Sequence, residues 1–410
     1  MAGFGPFEHR PAIAVGVSGG PDSTALALLL QDWLAAREGR LLALVVDHRL
    51  RPESAAEVKL VAARLAGLGI EARVLTLSGP LPTAGLQAAA RAARYALLEA
   101  AAAEAGILHL AVAHHARDQA ETIALRRAAG SGPRGAAGMP ALRELDRVRL
   151  IRPLLHIAPD RVRALLEQRG VPWIEDPSNR DTRFWRARYR LAGGGMPTTP
   201  PAGADRGRLE RASATLLARH ARPHPLGFVG IELAALGGLE EPLLAALLGR
   251  LVLATAGSAW PPGSAELARL AAWLHRCDGA RRALGGVLIE RAGSALRFVR
   301  EPRAVEAPRP LLPGELLWDG RFRIVRHGAG PALQVRAAGP GWRRRLARMA
   351  SADVDTPEAA RLPAVVLETL PLVGSAERAL RLGPWCLDPD GRHLDIRFRP
   401  QNRLSAVPFA

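Results

Sequence analysis

The chain has 410 residues, 48% of them apolar, a formal charge of +17 and two cysteines, Cys277 and Cys386. That is enough chain for two or three domains of the usual ~100–200 residues, while cysteines so far apart exclude a disulfide framework or a C-x-x-C metal or cluster site and suit a reducing compartment. Residues 1–10 lack a basic-then-apolar leader pattern and no apolar run reaches the ~18 residues of a membrane span, so a cytoplasmic protein without a membrane partner is expected. Arginine carries the positive charge, Lys59 being the only lysine, and so lopsided a charge points to a polyanionic partner.

From residue 12 to about 175, short β-type runs alternate with longer helical ones. Strands are predicted at 13–17, 41–46, 72–77, 109–113 and 148–152, and helices near 22–37, 52–68, 85–105, 118–129 and 159–169. The alternation predicts an α/β fold, a doubly wound parallel sheet with helices on both faces. Ligands of such sheets sit at the carboxyl ends of the strands. Residues 193–201, Gly-Gly-Gly-Met-Pro-Thr-Thr-Pro-Pro, read as an extended linker. Beyond it, 208–275 is helix-rich, and a proline-rich break at 301–313 precedes shorter β-type runs. Three domains are expected: 1–200, a helix-rich 201–308, and a small α+β domain at 309–410.

The stretch after the first strand is Ser18-Gly19-Gly20-Pro21-Asp22-Ser23-Thr24. Gly19 and Gly20 allow positive φ and close approach of an anion to the backbone. Pro21 suits a first helical turn, where its missing N–H is no loss. The turn amides and the helix dipole can then hold phosphate. Ser18, Ser23 and Thr24 add hydroxyls, and Asp22 adds a carboxylate suited to hydrated Mg²⁺. A Walker A loop is excluded, since no Gly-Lys-Ser/Thr follows.

Further stretches follow other predicted strands. Asp47-His48 precedes a helix that Glu53 or Ser54 can cap. Helical spacing puts Gln87, Arg91, Arg94 and Tyr95 on one face, either a bidentate phosphate clamp or a solvated arginine surface. His114-His115, followed by Asp118 and Glu121 in a first helical turn, read as a metal or acid/base cluster or as ordinary first-turn charges. Neither H-E-x-x-H nor cysteine ligands are there to make it a zinc site. Residues 130–135, Gly-Ser-Gly-Pro-Arg-Gly, form a basic loop suited to closing over a substrate. Arginines alternate with aromatics at 183–190, after the segment 173–181, and recur around Trp342 as Arg343, Arg344, Arg345 and Arg348. Together with the net charge these favour RNA, because unpaired nucleotides take both phosphate contacts and stacking faces.

Taken in order, the stretches at 18–23, 47–54, 90–95, 115–122, 130–132 and 173–179 resemble the N-type ATP pyrophosphatases, and among them the tRNA(Ile)-lysidine synthetase, or synthase, family. The likeness is dense from about residue 12 to 190 and only architectural beyond. It implies use of ATP and Mg²⁺. The wobble cytidine of a CAU anticodon in tRNA(Ile) would be adenylated with release of pyrophosphate, and free L-lysine would then displace AMP. By the same resemblance Ser18, Gly19, Gly20, Pro21, Asp22 and Ser23 hold the nucleotide and Asp22 the metal. Asp47 borders the adenosine, His115 and Asp118 orient the activated base or deprotonate lysine, and Arg91 and Arg94 clamp RNA or phosphate. The later domains would grip tRNA, as a monomer or homodimer. Two positions depart from the family: Arg117 stands where paired aspartates are usual, and Ala187 where asparagine is. The competing readings are another tRNA modifier on this loop, such as a thiolase, and a tRNA-binding homologue without catalysis.

Overall fold

Ala-Ile-Ala-Val-Gly-Val and Arg-Leu-Leu-Ala-Leu-Val-Val-Asp are near-continuous apolar runs, the mark of strands covered on both faces. In the computed structural model they are the centre of a six-stranded sheet. Its strands are β1 (Ala12–Val17), β2 (Arg40–Asp47), β3 (Glu71–Thr76), β4 (His109–Ala111), β5 (Leu142–Glu144) and β6 (Arg149–Ile151), in the order β3-β2-β1-β4-β6-β5. All pair in parallel except β5, which runs antiparallel to β6 at the edge. The structure describes residues 1–47, 49, 54–77, 86–128, 138–175, 203–258, 261–276, 281–346, 348, 362–375, 378–402 and 404.

Five helices cover this sheet: α1 (Pro21–Ala35), α2 (Ser54–Gly67), α3 (Leu86–Glu104), α4 (Ala116–Ala128) and α5 (Pro159–Gln168). Successive strand residues point to opposite faces, and β1 divides accordingly. Ile13, Val15 and Val17 pack with Leu26, Leu30, Val61 and Leu166, while Ala14 packs with Leu98, Ala102 and Leu110. The expected doubly wound α/β fold is therefore present. The strand order reverses between β1 and β4, the kind of switch point at which such sheets open a crevice. The sequence reading missed β5, a three-residue Leu-Arg-Glu strand too short to show any period.

The chain falls into two compact units, Met1–Gly203 and Ala204–Ala406. In the second lie α6 (Gly203–His220), α7 (Glu241–Ala256) and α8 (Ser264–Arg276). A five-stranded antiparallel sheet accompanies them, built from β7 (Ala221–His224), β8 (Phe228–Glu232), β9 (Arg281–Leu284), β10 (Val287–Ala292) and β11 (Ala295–Arg300). Further along, β12 (Arg309–Leu311), β13 (Gly314–Trp318), β14 (Phe322–Arg326), β15 (Leu333–Ala337), β16 (Pro371–Gly374), β17 (Ala379–Leu382), β18 (Trp385–Cys386) and β19 (Leu394–Phe398) form two more antiparallel sheets. Two short helices, α9 (Trp342–Leu346) and α10 (Ala364–Glu368), lie among them. One buried cluster joins Phe228 and Val299 to Trp318, Phe322 and Val366.

Beside that cluster lies an ionic knot. Asp319, 5% exposed and at φ +52, receives Arg300 Nη2 at 2.9 Å and Arg321 Nε at 2.7 Å. Burial pushes the Arg321 guanidinium down to about 10, although the Asp319 charge opposes this. Among the described residues no helix is long and apolar enough to cross a membrane.

Candidate active site at the switch point of the sheet

Only Ser18, Gly19 and Gly20 separate β1 from α1. Gly19 takes φ +83, in the left-handed region that favours glycine. A Cβ there would lie 2.5 Å from Val61 Cγ2 and 3.3 Å from Ile174 Cδ1. Gly20 differs from the expectation: at φ −71 and ψ 167 it is extended backbone open to any residue, and its Cβ would meet nothing closer than Ser18 Oγ at 3.6 Å. One glycine thus supplies the turn, and the other leaves an unobstructed backbone at the helix start.

Ser23 braces the turn from inside. Its Oγ accepts from the Ser18 amide at 3.1 Å, lies 3.2 Å from Ser18 Oγ and donates to the Gly20 carbonyl at 3.1 Å. The Ile174 amide donates to the Gly19 carbonyl at 2.9 Å, fastening the segment after α5 to the loop. Behind the loop a cavity of about 190 Å³ is lined largely by aliphatic carbon from Val17, Val61, Leu65, Leu68 and Val171. Gly19, Thr24 and Arg64 also contribute to the lining.

Asp22 stands in the first turn of α1 with its side chain one-third exposed, and its Oδ2 lies 3.5 Å from His115 Nε2. His115 opens α4 and caps it reciprocally with Asp118. The Asp118 amide donates to His115 Nδ1 at 3.3 Å, and the His115 amide donates to Asp118 Oδ2 at 3.0 Å. This is the logic of a capping box, with imidazole in place of the usual hydroxyl. While Nδ1 accepts, the proton of the neutral ring sits on Nε2, facing Asp22. Burial works to lower the His115 pKa. The hydrogen bond to Asp22 and the charges of Asp118 and Asp22 outweigh that burial and the opposing Arg117, so the net displacement is upward.

Asp22, His115 and Asp118, far apart in sequence, therefore converge. Among the described residues no three His, Cys, Asp or Glu side chains gather into a metal cage. Asp22, one-third exposed, is a single hard oxygen donor, the kind of group that holds hydrated Mg²⁺ together with substrate phosphates. Glu121, one turn further along α4, is buried.

Asp47 lies at the end of β2, 7% exposed, and its Oδ1 accepts from the Arg49 amide at 2.9 Å and from Ser54 Oγ at 2.5 Å. The carboxylate ties together the two ends of the loop between β2 and α2. His48, Leu50 and 51–53 lie outside the described residues, as do the Gln87 side chain, 130–135, 176–181 and 183–190.

The next histidine turns the other way. His114 Nε2 lies 2.9 Å from Arg91 Nη2, and Arg152 Nε donates to His114 Nδ1 at 3.2 Å. Arg91 also donates to the Tyr95 hydroxyl at 3.3 Å, and Arg91 and Arg94 lie 5.1 and 5.7 Å from the Tyr95 ring centre. Arg152, 3% exposed, donates besides to the Pro140 carbonyl at 2.8 Å. Burial brings its pKa to about 10 against the help of Tyr95, and the charges of Arg91 and Arg143 push the same way as burial. Sequence reasoning found Arg91, Arg94 and Tyr95 and missed Arg152. The available signal was an arginine directly after the apolar Leu150-Ile151, at the carboxyl end of a parallel strand, where ligands gather.

The aromatic reading of the second basic cluster needs correction. Trp342 is 4% exposed and donates from Nε1 to the Ala338 carbonyl at 3.1 Å, so its ring is core and offers no stacking face. Arg343, Arg344 and Arg345 on the same short helix are exposed.

A glycine turn feeding a helix N-terminus at the switch point of a parallel sheet, with a carboxylate in the first turn, is the architecture of a PP-loop protein. Residues 4–192 match the family model of the PP-loop domain. The chain is 36% identical over 354 residues to a tRNA(Ile)-lysidine synthase of Rhizobium meliloti strain 1021, covering 82% of this chain and 77% of that protein. With a tRNA(Ile)-lysidine synthase of Brucella suis biovar 1 it shares 34% identity over 422 residues, 96% of this chain and 92% of the relative. Among solved structures, the U34-tRNA thiolase NcsA from Methanococcus maripaludis with its 4Fe–4S cluster aligns at a TM-score of 0.41 and 20% identity, over 48% of this chain and 70% of that one. The chain belongs to the tRNA(Ile)-lysidine synthase family.

Proposed function

We propose that this chain is a ligase that forms lysidine at the wobble cytidine of tRNA(Ile) bearing a CAU anticodon, using ATP and free L-lysine. The observation that carries the reading is the convergence of the Ser18–Gly20 turn, Asp22, His115 and Asp118 at the switch point, in a chain of this family. In the first step the cytidine O2 attacks the α-phosphorus of ATP, and the bond to pyrophosphate breaks. The amides at the start of α1 are placed to meet the charge that develops on the leaving group, and preorganised donors of this kind are worth about 10²–10³ each in rate. Asp22 is the residue suited to hold Mg²⁺, which when bound neutralises part of the phosphate charge.

In the second step the lysine amine attacks carbon 2 of the cytosine and AMP leaves. The amine must lose a proton, and the Asp22 carboxylate, paired with His115 that Asp118 holds in place, is set beside the loop to take it. Residues 201–308 and 309–410 are assigned to the body of the tRNA, an assignment supported by the formal charge of +17 and by exposed Arg343–Arg345.

The test is incubation of the purified chain with ATP, Mg²⁺, labelled lysine and CAU-anticodon tRNA, beside a sibling tRNA altered at the wobble base. Label is expected in the first tRNA alone, with AMP and pyrophosphate released in equal amounts. Tight tRNA binding with no pyrophosphate release would overturn the catalytic reading.

A further inference from the structure

His114 carries a conflict that leads to a second site. Both of its ring nitrogens face guanidinium donors, Arg91 Nη2 at 2.9 Å and Arg152 Nε at 3.2 Å. A guanidinium has no acceptor, and a neutral imidazole has only one lone pair to offer. One of the two approaches is therefore an N–H pointed at an N–H. Arg152 is the member held in place, since it is buried and its Nη1 is fixed on the Pro140 carbonyl. Arg91 is the partner free to take something better.

The surroundings add a donor, and the one carboxylate acting on it, Glu99, does so only through space. Arg143, on β5 opposite Leu150 of β6, is half-buried near Tyr95 and makes no hydrogen bond among the described residues. Among those residues, no carboxylate pairs within 4.0 Å of Arg91, Arg143 or Arg152. Three guanidiniums thus share the Tyr95 hydroxyl, one lone pair of His114 and one backbone carbonyl. Buried charge without a counter-charge is costly, and an oxyanion would relieve both the donor surplus and the mutual repulsion.

We propose that Arg91, Arg143 and Arg152, spaced by His114 and Tyr95 at the carboxyl ends of β4 and β6, form a binding site for one phosphodiester of the RNA substrate. This rests on the reading that the chain works on tRNA. The RNA backbone is favoured over the ATP tail by the direction of the two histidines. His115 meets Asp22 and the PP-loop, whereas His114 meets α3 and the end of β6. The loop amides already serve the tail, and the arginine site lies past the histidine pair from it. Here a bound strand would be anchored beside the base delivered to His115.

Full-length Arg143→Gln, Arg143→Lys and Arg147→Gln test the proposal, Arg147 being an exposed arginine on the neighbouring turn. Each is matched to wild type by thermal melting. Its affinity for fluorescently labelled CAU-anticodon tRNA is measured by anisotropy from about 50 to 300 mM salt, and its ATP affinity separately. Arg143→Gln is expected to weaken tRNA binding about tenfold at low salt and to reduce the slope of log K against log salt by about one. Arg143→Lys should recover most of the affinity, Arg147→Gln should stay within about twofold of wild type, and ATP affinity should not move. Equal effects of Arg143→Gln and Arg147→Gln, or a loss of ATP binding with tRNA binding intact, would overturn it. Lysidine formation by wild type on the same tRNA is scored alongside. Its absence would defeat the proposed function, while the affinities still decide the phosphodiester site.

Discussion

Replacing Gly19 by alanine probes the loop on which the proposed chemistry depends. At φ +83 an alanine is strained by roughly 1–2 kcal/mol. Its methyl would lie 2.5 Å from Val61 Cγ2 and 3.3 Å from Ile174 Cδ1, whereas carbon atoms settle at about 3.5–4.0 Å. Val61 or the loop must therefore shift by about 1 Å, and overpacking of this kind costs about 1–3 kcal/mol. The sum, about 2–5 kcal/mol, is smaller than a typical stability of about 5–15 kcal/mol. The variant should fold, with a melting temperature lower by about 5–15 °C. A displacement of about 1 Å at the loop amides should also slow pyrophosphate release about a hundredfold. Gly20→Ala is the matched control, since its φ of −71 and open surroundings admit a methyl. It should lose no more than about 1 kcal/mol, the difference between glycine and alanine as an N-cap. Thermal melts read with ATP–pyrophosphate exchange decide the matter. Equal destabilisation by the two substitutions, or a Gly19→Ala protein with wild-type melting and exchange, would refute the loop geometry.

Asp319→Asn keeps the shape of the side chain and tolerates φ +52, yet leaves buried Arg300 and Arg321 without their carboxylate. Urea unfolding should show a loss of about 3–5 kcal/mol, and a loss under about 1 kcal/mol would remove the knot from the account. His115 should titrate above its ordinary 6.5, and Asp22→Asn should bring it down, as read from its ring resonances by NMR. Because the folded value is raised, its contribution to stability is complete below pH 6.5 and disappears as pH rises through the folded value. His109 should do the reverse. Burial lowers its pKa although Glu8 resists, so the folded protein holds it neutral and loses stability as pH falls from 6.5 toward the folded value. His109→Gln should flatten the acid side of a stability–pH curve, and an unchanged curve would count against this.

The parallel sheet was legible because its strands are buried on both faces and its helices are long enough to show a period. The candidate site was legible for the same reason, since ligands of such sheets gather where these strands end. What escaped the sequence reading depends on contacts between distant segments. Nothing near Gly20 tells that its neighbour alone takes the left-handed turn, or that a side chain at Gly19 would collide with Val61 and Ile174 from distant segments. Asp47 looked like a ligand-facing carboxylate, and its engagement by Ser54 Oγ follows from where α2 happens to begin. Trp342 carried the signature of a stacking face among arginines, yet the short helix turns it inward and leaves the arginines outside. In the second unit, strands as brief as Ala-Arg-Pro-His at Ala221–His224 are polar, carry a proline and acquire their identity only from the partner strand.

Arg117 is the residue that most threatens the proposed acid/base role of His115, because it puts a cation where the sequence resemblance implies a second carboxylate. Its charge does act against protonation of the imidazole. It is the weakest of the influences on that ring, and the raised pKa survives it through the Asp22 hydrogen bond and the two nearer carboxylates. Asp118 holds Nδ1 through the cap that opens α4, and Asp22 reaches Nε2 from α1, so both ring nitrogens are oriented without any help from position 117. The geometry that poises His115 is thus complete within this chain, and the substitution alters the field around the imidazole while leaving its hydrogen bonds in place.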